Sequence, residues 1–206
     1  CDTNPLSVDP YLYLQHEIDL FNKSLLKLKE IFKCNIHVCY QNNNFNKFID
    51  GINYHNFNGP HPAGLSGTHI HFIKPVGINS KCWYADGQGV LSFGDFAINN
   101  KIRISKYVSI GGPSIIEPKI VKARIGSDCR ELVAGNLKDN SRLISGSILN
   151  GYEINDSLSF LGFYHNQISA ISDAIPDTFF NWLMPGSNLH SKLGAFISSW
   201  IKPDEY

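Results

Sequence analysis

Near Asn99-Asn100-Lys101 the spacing of apolar residues changes, and a chain whose period changes must build two kinds of structure. Before that point the strongest signal is helical. Ile18, Phe21, Leu25, Leu28 and Phe32 recur in alternating steps of three and four, with Lys23, Lys27 and Glu30 opposite, which predicts a helix over Ile18 to Lys33. Asn35 to Tyr40 then alternates polar with apolar, as does Ile52 to Phe57, and each reads as a strand. A helix leading into a strand is half of an α/β unit. Between the strands, Gln41 to Asn46 holds four asparagines and reads as an exposed loop. Pro62 suits the first turn of a helix running to Phe72, and a shorter helix is expected from Val90 to Phe96.

Beyond the change, short apolar runs (Tyr107 to Ile110, Leu143-Ile144, Phe160 to Ile168) are separated by turn residues at Gly111-Gly112-Pro113, Asp139-Asn140 and Asn150-Gly151. That spacing predicts a small β-rich domain. A last stretch, with Phe179-Phe180-Asn181-Trp182 and an apolar run from Leu193 to Ile201, reads as a helical tail. The fold expected is therefore mixed α/β (α+β overall), with an α/β domain over 1–101, a β-rich domain over 102–172 and the tail over 173–206.

Eighteen basic residues balance 18 acidic ones. Zero net charge argues against a nucleic-acid footprint and gives no attraction to anionic lipid. No run approaches 18 apolar residues, so no helical membrane span is expected. The chain opens at Cys1 with no signal-peptide pattern and reads as a fragment cut near a domain boundary. Its cysteines, at 1, 34, 39, 82 and 129, are odd in number and scattered, as expected of reduced thiols in a cytosolic protein. Cys34 and Cys39 form a C-x4-C pair with no further Cys nearby, so no metal or cluster site is expected there.

The densest set of ionisable side chains is His61, His69 and His71. On one helix, residues 69 and 71 face opposite sides, which argues against a shared metal and for structural or ligand hydrogen bonds. Gly87-x-Gly89 is similar to the start of a dinucleotide loop, but Ser92 stands where the third glycine belongs. Gly64-Leu65-Ser66-Gly67 and Ser145-Gly146-Ser147 miss the nucleophile elbow, so no hydrolase and no catalytic residue is expected.

Five stretches, in order, carry a resemblance: Asp2-Thr3-Asn4-Pro5-Leu6, Gly59 to Phe72 (G-P-H-P-A-G-L-S-G-T-H-I-H-F), Val108 to Pro113, Arg142 to Gly151, and Leu161 to Ser169. Together they resemble the NqrA family, one of the subunits of the Na+-translocating NADH:quinone oxidoreductase (Na+-NQR). The resemblance implies a peripheral subunit on the cytoplasmic face of the bacterial inner membrane, within a six-subunit pump that passes electrons from NADH to quinone and exports Na+. It implies flavins and iron–sulfur centres in partner subunits, no redox cofactor in this chain, and quinone as ligand. Membrane association comes through the partners, and the isolated chain is expected to be inactive. The fold implied is a Rossmann-like domain followed by a β-grasp domain of the soluble-ligand-binding type, with the family's N- and C-terminal regions missing here. Two positions depart from the family: Phe163 stands for the Arg of L-G-R-Y-H, and Gly87-Gln88-Gly89-Val90 for Tyr-Gln-Asp-Val. Phe supplies neither the charge nor the five donors of Arg.

Two functions compete. In one, the subunit binds or admits quinone, with His61, Thr68 and His69 as polar contacts beside Gly64 and Gly67. In the other it is a purely structural scaffold that docks the membrane subunits and has no ligand site. Glycine inside a helix costs about 1 kcal/mol relative to alanine, so Gly64 and Gly67 on one helical face should each allow a close approach by another element or a ligand. His69, if buried, should need one hydrogen-bond partner, whereas His71 should face elsewhere.

Overall fold

The computed structural model describes residues 1–41 and 48–173. The asparagine loop and the helical tail expected from the sequence lie almost wholly outside the described residues.

The first helical stretch begins where the Asp9 carboxylate accepts the Tyr11 N–H at 3.0 Å. Helix α1 (Tyr11–Leu14) passes through a 3-10 turn (Gln15–Glu17) into α2 (Ile18–Phe32), which stops at Lys33 in the left-handed conformation. The predicted stripe of α2 faces inward at Ile18, Phe21 and Leu25. Strand β1 (His37–Tyr40) pairs in parallel with β2 (Asn53–Asn56), with His37 opposite Asn53 and Cys39 opposite His55. After α3 (Ser66–Ile73), α4 (Gly87–Asn99) closes the first core, built from Tyr13, Leu14, Ile18, Phe21, Leu25, Ile52, Val90 and Leu91.

Helix α4 is longer than Val90 to Phe96 because Asp86 caps it. Its side chain accepts the Gly89 N–H at 2.8 Å, leaving Gly87 and Gly89 inside the first turn. Gly94 sets the approach of α4 to α2: a Cβ there would lie 1.8 Å from Ser24 Oγ. Ser24 turns its hydroxyl back onto the Leu20 carbonyl at 2.6 Å, which keeps that narrow contact satisfied.

The second core lies under a five-stranded mixed sheet. Its strands are β3 (Ser105–Gly111), β4 (Lys119–Arg124), β5 (Ser141–Ser145), β6 (Tyr152–Glu153) and β7 (Gln167–Ser172), in the order β4-β3-β7-β5-β6. The β3–β4 hairpin is followed by the short helix α5 (Cys129–Leu132), and the last strand inserts parallel to β3 and antiparallel to β5. A hairpin, a helix and a final strand slotted beside the first make the grasp arrangement. Val108, Ile110, Cys129, Val133, Leu143, Leu161, Ile168 and Ala170 fill its core. All five cysteines are free.

The two cores meet along α4. The Gln88 side chain lies flat against β3, with its Nε2 donating to the Tyr107 carbonyl and its Oε1 accepting the Tyr107 N–H, both at 2.7 Å. One amide thereby acts as an extra rung on β3, just before its pairing with β7 begins at Ser109. Tyr13 from α1 stacks on the Tyr107 ring at 5.5 Å. At the other end of α4, Arg103 donates to both Glu17 oxygens and through Nε to Asp95 at 2.7 Å, its side chain 7% exposed. That guanidinium holds the Glu17 carboxyl below the usual carboxylate range, and the Glu17 bond in turn raises the guanidinium. Replacing Gln88 by Leu should strand both Tyr107 backbone groups and cost about 2–4 kcal/mol, read as a lower urea midpoint by circular dichroism.

Candidate functional site

The segment from Gly59 to His69 is built over the N-terminal residues. It makes two successive turns, Ala63 N–H to Pro60 O at 2.9 Å and Leu65 N–H to Pro62 O at 3.0 Å. Leu65 is extended (ψ 138°), and α3 starts only at Ser66. The expected helix from Pro62 is therefore corrected to a turn followed by a shorter helix. The physical reason is a tertiary bond: the Gly64 N–H donates to Thr3 Oγ1 at 2.7 Å, which fixes the turn before the helix can begin.

Gly64 and Gly67 consequently differ. A Cβ on Gly64 would lie 2.4 Å from the Thr3 backbone nitrogen, so the close approach expected there is present, and Asp2-Thr3 makes it. Gly67 sits in the first turn of α3 with nothing within 4 Å of a Cβ position. No other element approaches Gly67, and the expected shared small face is absent, because Gly64 lies outside the helix.

Three polar side chains of this segment, those of His61, Thr68 and His69, bond to its own backbone or to Thr3. His61 Nδ1 lies 3.2 Å from the Thr3 carbonyl, the Thr68 hydroxyl donates to Pro62 O at 2.9 Å, and His69 Nε2 lies 2.8 Å from Ala63 O. A carbonyl only accepts, so His61 carries its proton on Nδ1 and His69 on Nε2. The nitrogens left as acceptors are His61 Nε2 and His69 Nδ1. Phe57 covers His69 at 4.4 Å between ring centroids, and burial holds the His69 imidazole below the ordinary histidine range, with the Ala63 bond opposing. His71 is exposed and meets the edge of Phe72 at 5.1 Å. Two open hollows of about 500 and 310 Å³ lie elsewhere, one beside Arg130, Arg142 and Glu153, the other beside Glu17, Asp95 and Arg103.

The Gly87-x-Gly89 turn is filled by the chain itself. Leu14 packs where a Gly87 Cβ would be, and the Asp86 carboxylate takes the Gly89 N–H that a phosphate would need. Among the described residues no group of three or more His, Cys, Asp or Glu is arranged to hold a metal.

A second polar cluster escaped the site reading of the sequence, although Ser145, Gly146, Gly162 and His165 all lie in the stretches that carry the resemblance. Ser145 Oγ, fully buried, accepts the Gly162 N–H at 3.1 Å and lies 2.9 Å from His165 Nδ1. Gly146 and Gly162 pass the ring so closely that a Cβ would lie 3.1 and 2.6 Å from it. Lys106, 5% exposed, donates to the Phe163 carbonyl at 2.8 Å, and burial lowers its ammonium to about 8. Ser145, Gly146 and Gly162 thus seat one imidazole, and the 162–166 loop covers one buried ammonium.

Gly64→Ala should lower the urea midpoint by the equivalent of about 2 kcal/mol or more through the Thr3 clash. Gly67→Ala should raise it by roughly 0.5–1 kcal/mol through helix propensity. The pH dependence has a definite sign. Burial lowers both His69 and His165 in the folded chain, so the unfolded chain takes up protons near 6.5 that the folded chain refuses. Stability from these groups is complete above that value and is lost as pH falls toward the lowered folded values. The urea midpoint should drop between pH 7.5 and 5.5, and His69→Gln should shrink the drop.

Comparison with known proteins bears on all of this. Residues 1–101 match the family model described as NqrA second alpha/beta domain, and residues 107–156 match the one described as NQRA C-terminal domain. The corresponding NqrA subunit of the Na(+)-translocating NADH-quinone reductase of Neisseria gonorrhoeae (strain ATCC 700825 / FA 1090) is 36% identical over 98% of this chain and 46% of its own length. The protein of the same name from Teredinibacter turnerae is 34% identical over the whole of this chain, and that from Pasteurella multocida 35% over 98%, each again over 46% of its own length. The chain spans about half the length of these curated relatives. It belongs to the NqrA family of Na+-translocating NADH-quinone reductase subunits.

Proposed function

We propose that this chain serves as the part of an NqrA subunit that joins other subunits of a Na+-pumping NADH:quinone reductase and offers quinone a site at the Gly59–His69 segment. The carrying observation is identity of 34–36% across 98–100% of the chain to proteins bearing that name. In this reading the chain works from the cytoplasmic face of the inner membrane as a peripheral subunit. No helix among the described residues is long and apolar enough to cross a membrane, which fits attachment through partners. Electron transfer belongs to flavins and iron–sulfur centres in those partners, and this chain is a non-catalytic subunit with no redox cofactor of its own.

The geometry narrows what the segment does for a quinone. The N–H and O–H groups of His61, Thr68 and His69 are already donated to carbonyls, leaving His61 Nε2 and His69 Nδ1 as acceptors. A neutral quinone offers only acceptors, whereas a quinol offers two O–H donors. The segment is therefore matched to the reduced form, or to the oxidised form once an imidazole is protonated. Assembly has its own support. The Asn166 side chain donates to Asp86, joining the loop with Phe163 and Tyr164 to the one with Trp83 and Tyr84. These four rings are 66–93% exposed, an apolar surface suited to burial against another subunit.

The competing scaffold reading is favoured by one observation, the satisfaction of the donors of His61, Thr68 and His69 by the chain itself. Titrating the chain with a water-soluble short-chain quinone and with its quinol separates the two. Tighter binding of the quinol, weakened at least fivefold by His61→Ala, is the expected result. Absence of binding by both forms would leave the scaffold.

A further inference from the structure

The parallel pairing of β1 with β2 brings together two histidines that lie 18 residues apart in sequence. His37 stands opposite Asn53, and His55 stands opposite Cys39, so the two histidines are diagonal neighbours on one face of the ladder. Their rings are 5.2 Å apart between centroids and inclined at 29°, and His37 Nδ1 faces His55 Nε2 at 3.0 Å. His37 is exposed and His55 half-buried, so the pair is open to solvent.

We propose that His37 and His55 form a two-imidazole chelate for a borderline divalent transition-metal ion of the Zn2+ or Ni2+ class. Two ring nitrogens, each about 2.0–2.1 Å from such an ion, lie about 2.9–3.4 Å apart at square to tetrahedral angles, and 3.0 Å falls within that span. The fold has already brought the ligands to chelating separation, so binding requires only that the rings turn their lone pairs toward one point.

The proton balance is simple. In the free pair one facing nitrogen donates to the other. On metal binding that imidazole switches tautomer, its proton moves by way of water to its outer nitrogen, and both facing nitrogens become lone-pair donors. Two neutral ligands bind the dication with no net proton release. Lys74 is the charged neighbour of His37. The Lys74 charge opposes the cation and works to moderate the affinity. Imidazole ligands favour these ions over Mg2+, whose preferred ligands are oxygens.

The test is calorimetric titration of the chain with NiCl2 and with ZnCl2 at pH 7.5, beside MgCl2. One saturable Ni2+ site is expected, weakened at least tenfold by His37→Gln and equally by His55→Gln, unaffected by His61→Gln and absent with MgCl2. Circular dichroism of the metal-free variants should match the parent, because both side chains stand at the surface of the ladder. No saturable site in the parent, a site that survives either substitution, or loss in one variant alone would overturn the chelate. An unfolded variant is replaced by carbethoxylating the imidazoles of the parent with diethyl pyrocarbonate: protection of both rings by Ni2+ supports the chelate, and protection of neither overturns it.

Discussion

Thr3 is the residue on which the candidate segment depends. Its hydroxyl takes the Gly64 N–H, its carbonyl faces His61, and its backbone nitrogen lies where any side chain at position 64 would stand. The same strand of chain continues to Pro5, whose carbonyl accepts from Gln167 at the start of β7. It therefore spans from the turn before α3 to the grasp sheet. A short segment with no regular structure of its own thus positions the stretch bearing His61 and His69 relative to both cores. Its hold comes from close backbone approach and not from a large apolar contact, so it is sensitive to a single added methyl group.

The seam between the cores works by a different principle. The Gln88 amide gives β3 two hydrogen bonds that would otherwise go to water, while the largely buried Arg103 guanidinium ties Glu17 to Asp95. Both are polar contacts shielded from solvent, where each bond is stronger and each unpaired partner more costly. The aromatic stack of Tyr13 on Tyr107 covers the same joint. Directional bonds under an apolar cover fix one orientation of the grasp sheet against α4, a task that a greasy contact alone performs less sharply.

Periodicity made α2, β1, β2 and the β-rich second half legible, since these elements bury one face and the pattern of that face is written locally. The start of α3 was not legible, because Pro62 suits a helix by itself and only the bond from Gly64 to Thr3, 61 residues away, makes it a turn. The full length of α4 was missed for a related reason. Two glycines lower local helix propensity, but the Asp86 cap and the need for close packing at Leu14 and Ser24 override it. The one hydrogen bond of the half-buried His69 accords with the need read from the sequence, whereas the pairing of His37 with His55 and of Ser145 with His165 depends on strand register and chain reversal that one sequence does not display. The Gly59–Phe72 motif carries much of the resemblance but, by itself, points to the wrong local structure.

The central claim is that the histidines of this segment present acceptors outward and donate inward. Nitrogen-15 NMR of the imidazoles in the chain, labelled on histidine, reads this directly. At pH 7.5 His69 should show a protonated Nε2 and a bare Nδ1, and His61 the reverse. A protonated Nδ1 on His69, or rapid averaging of both tautomers at both residues, would contradict the claim.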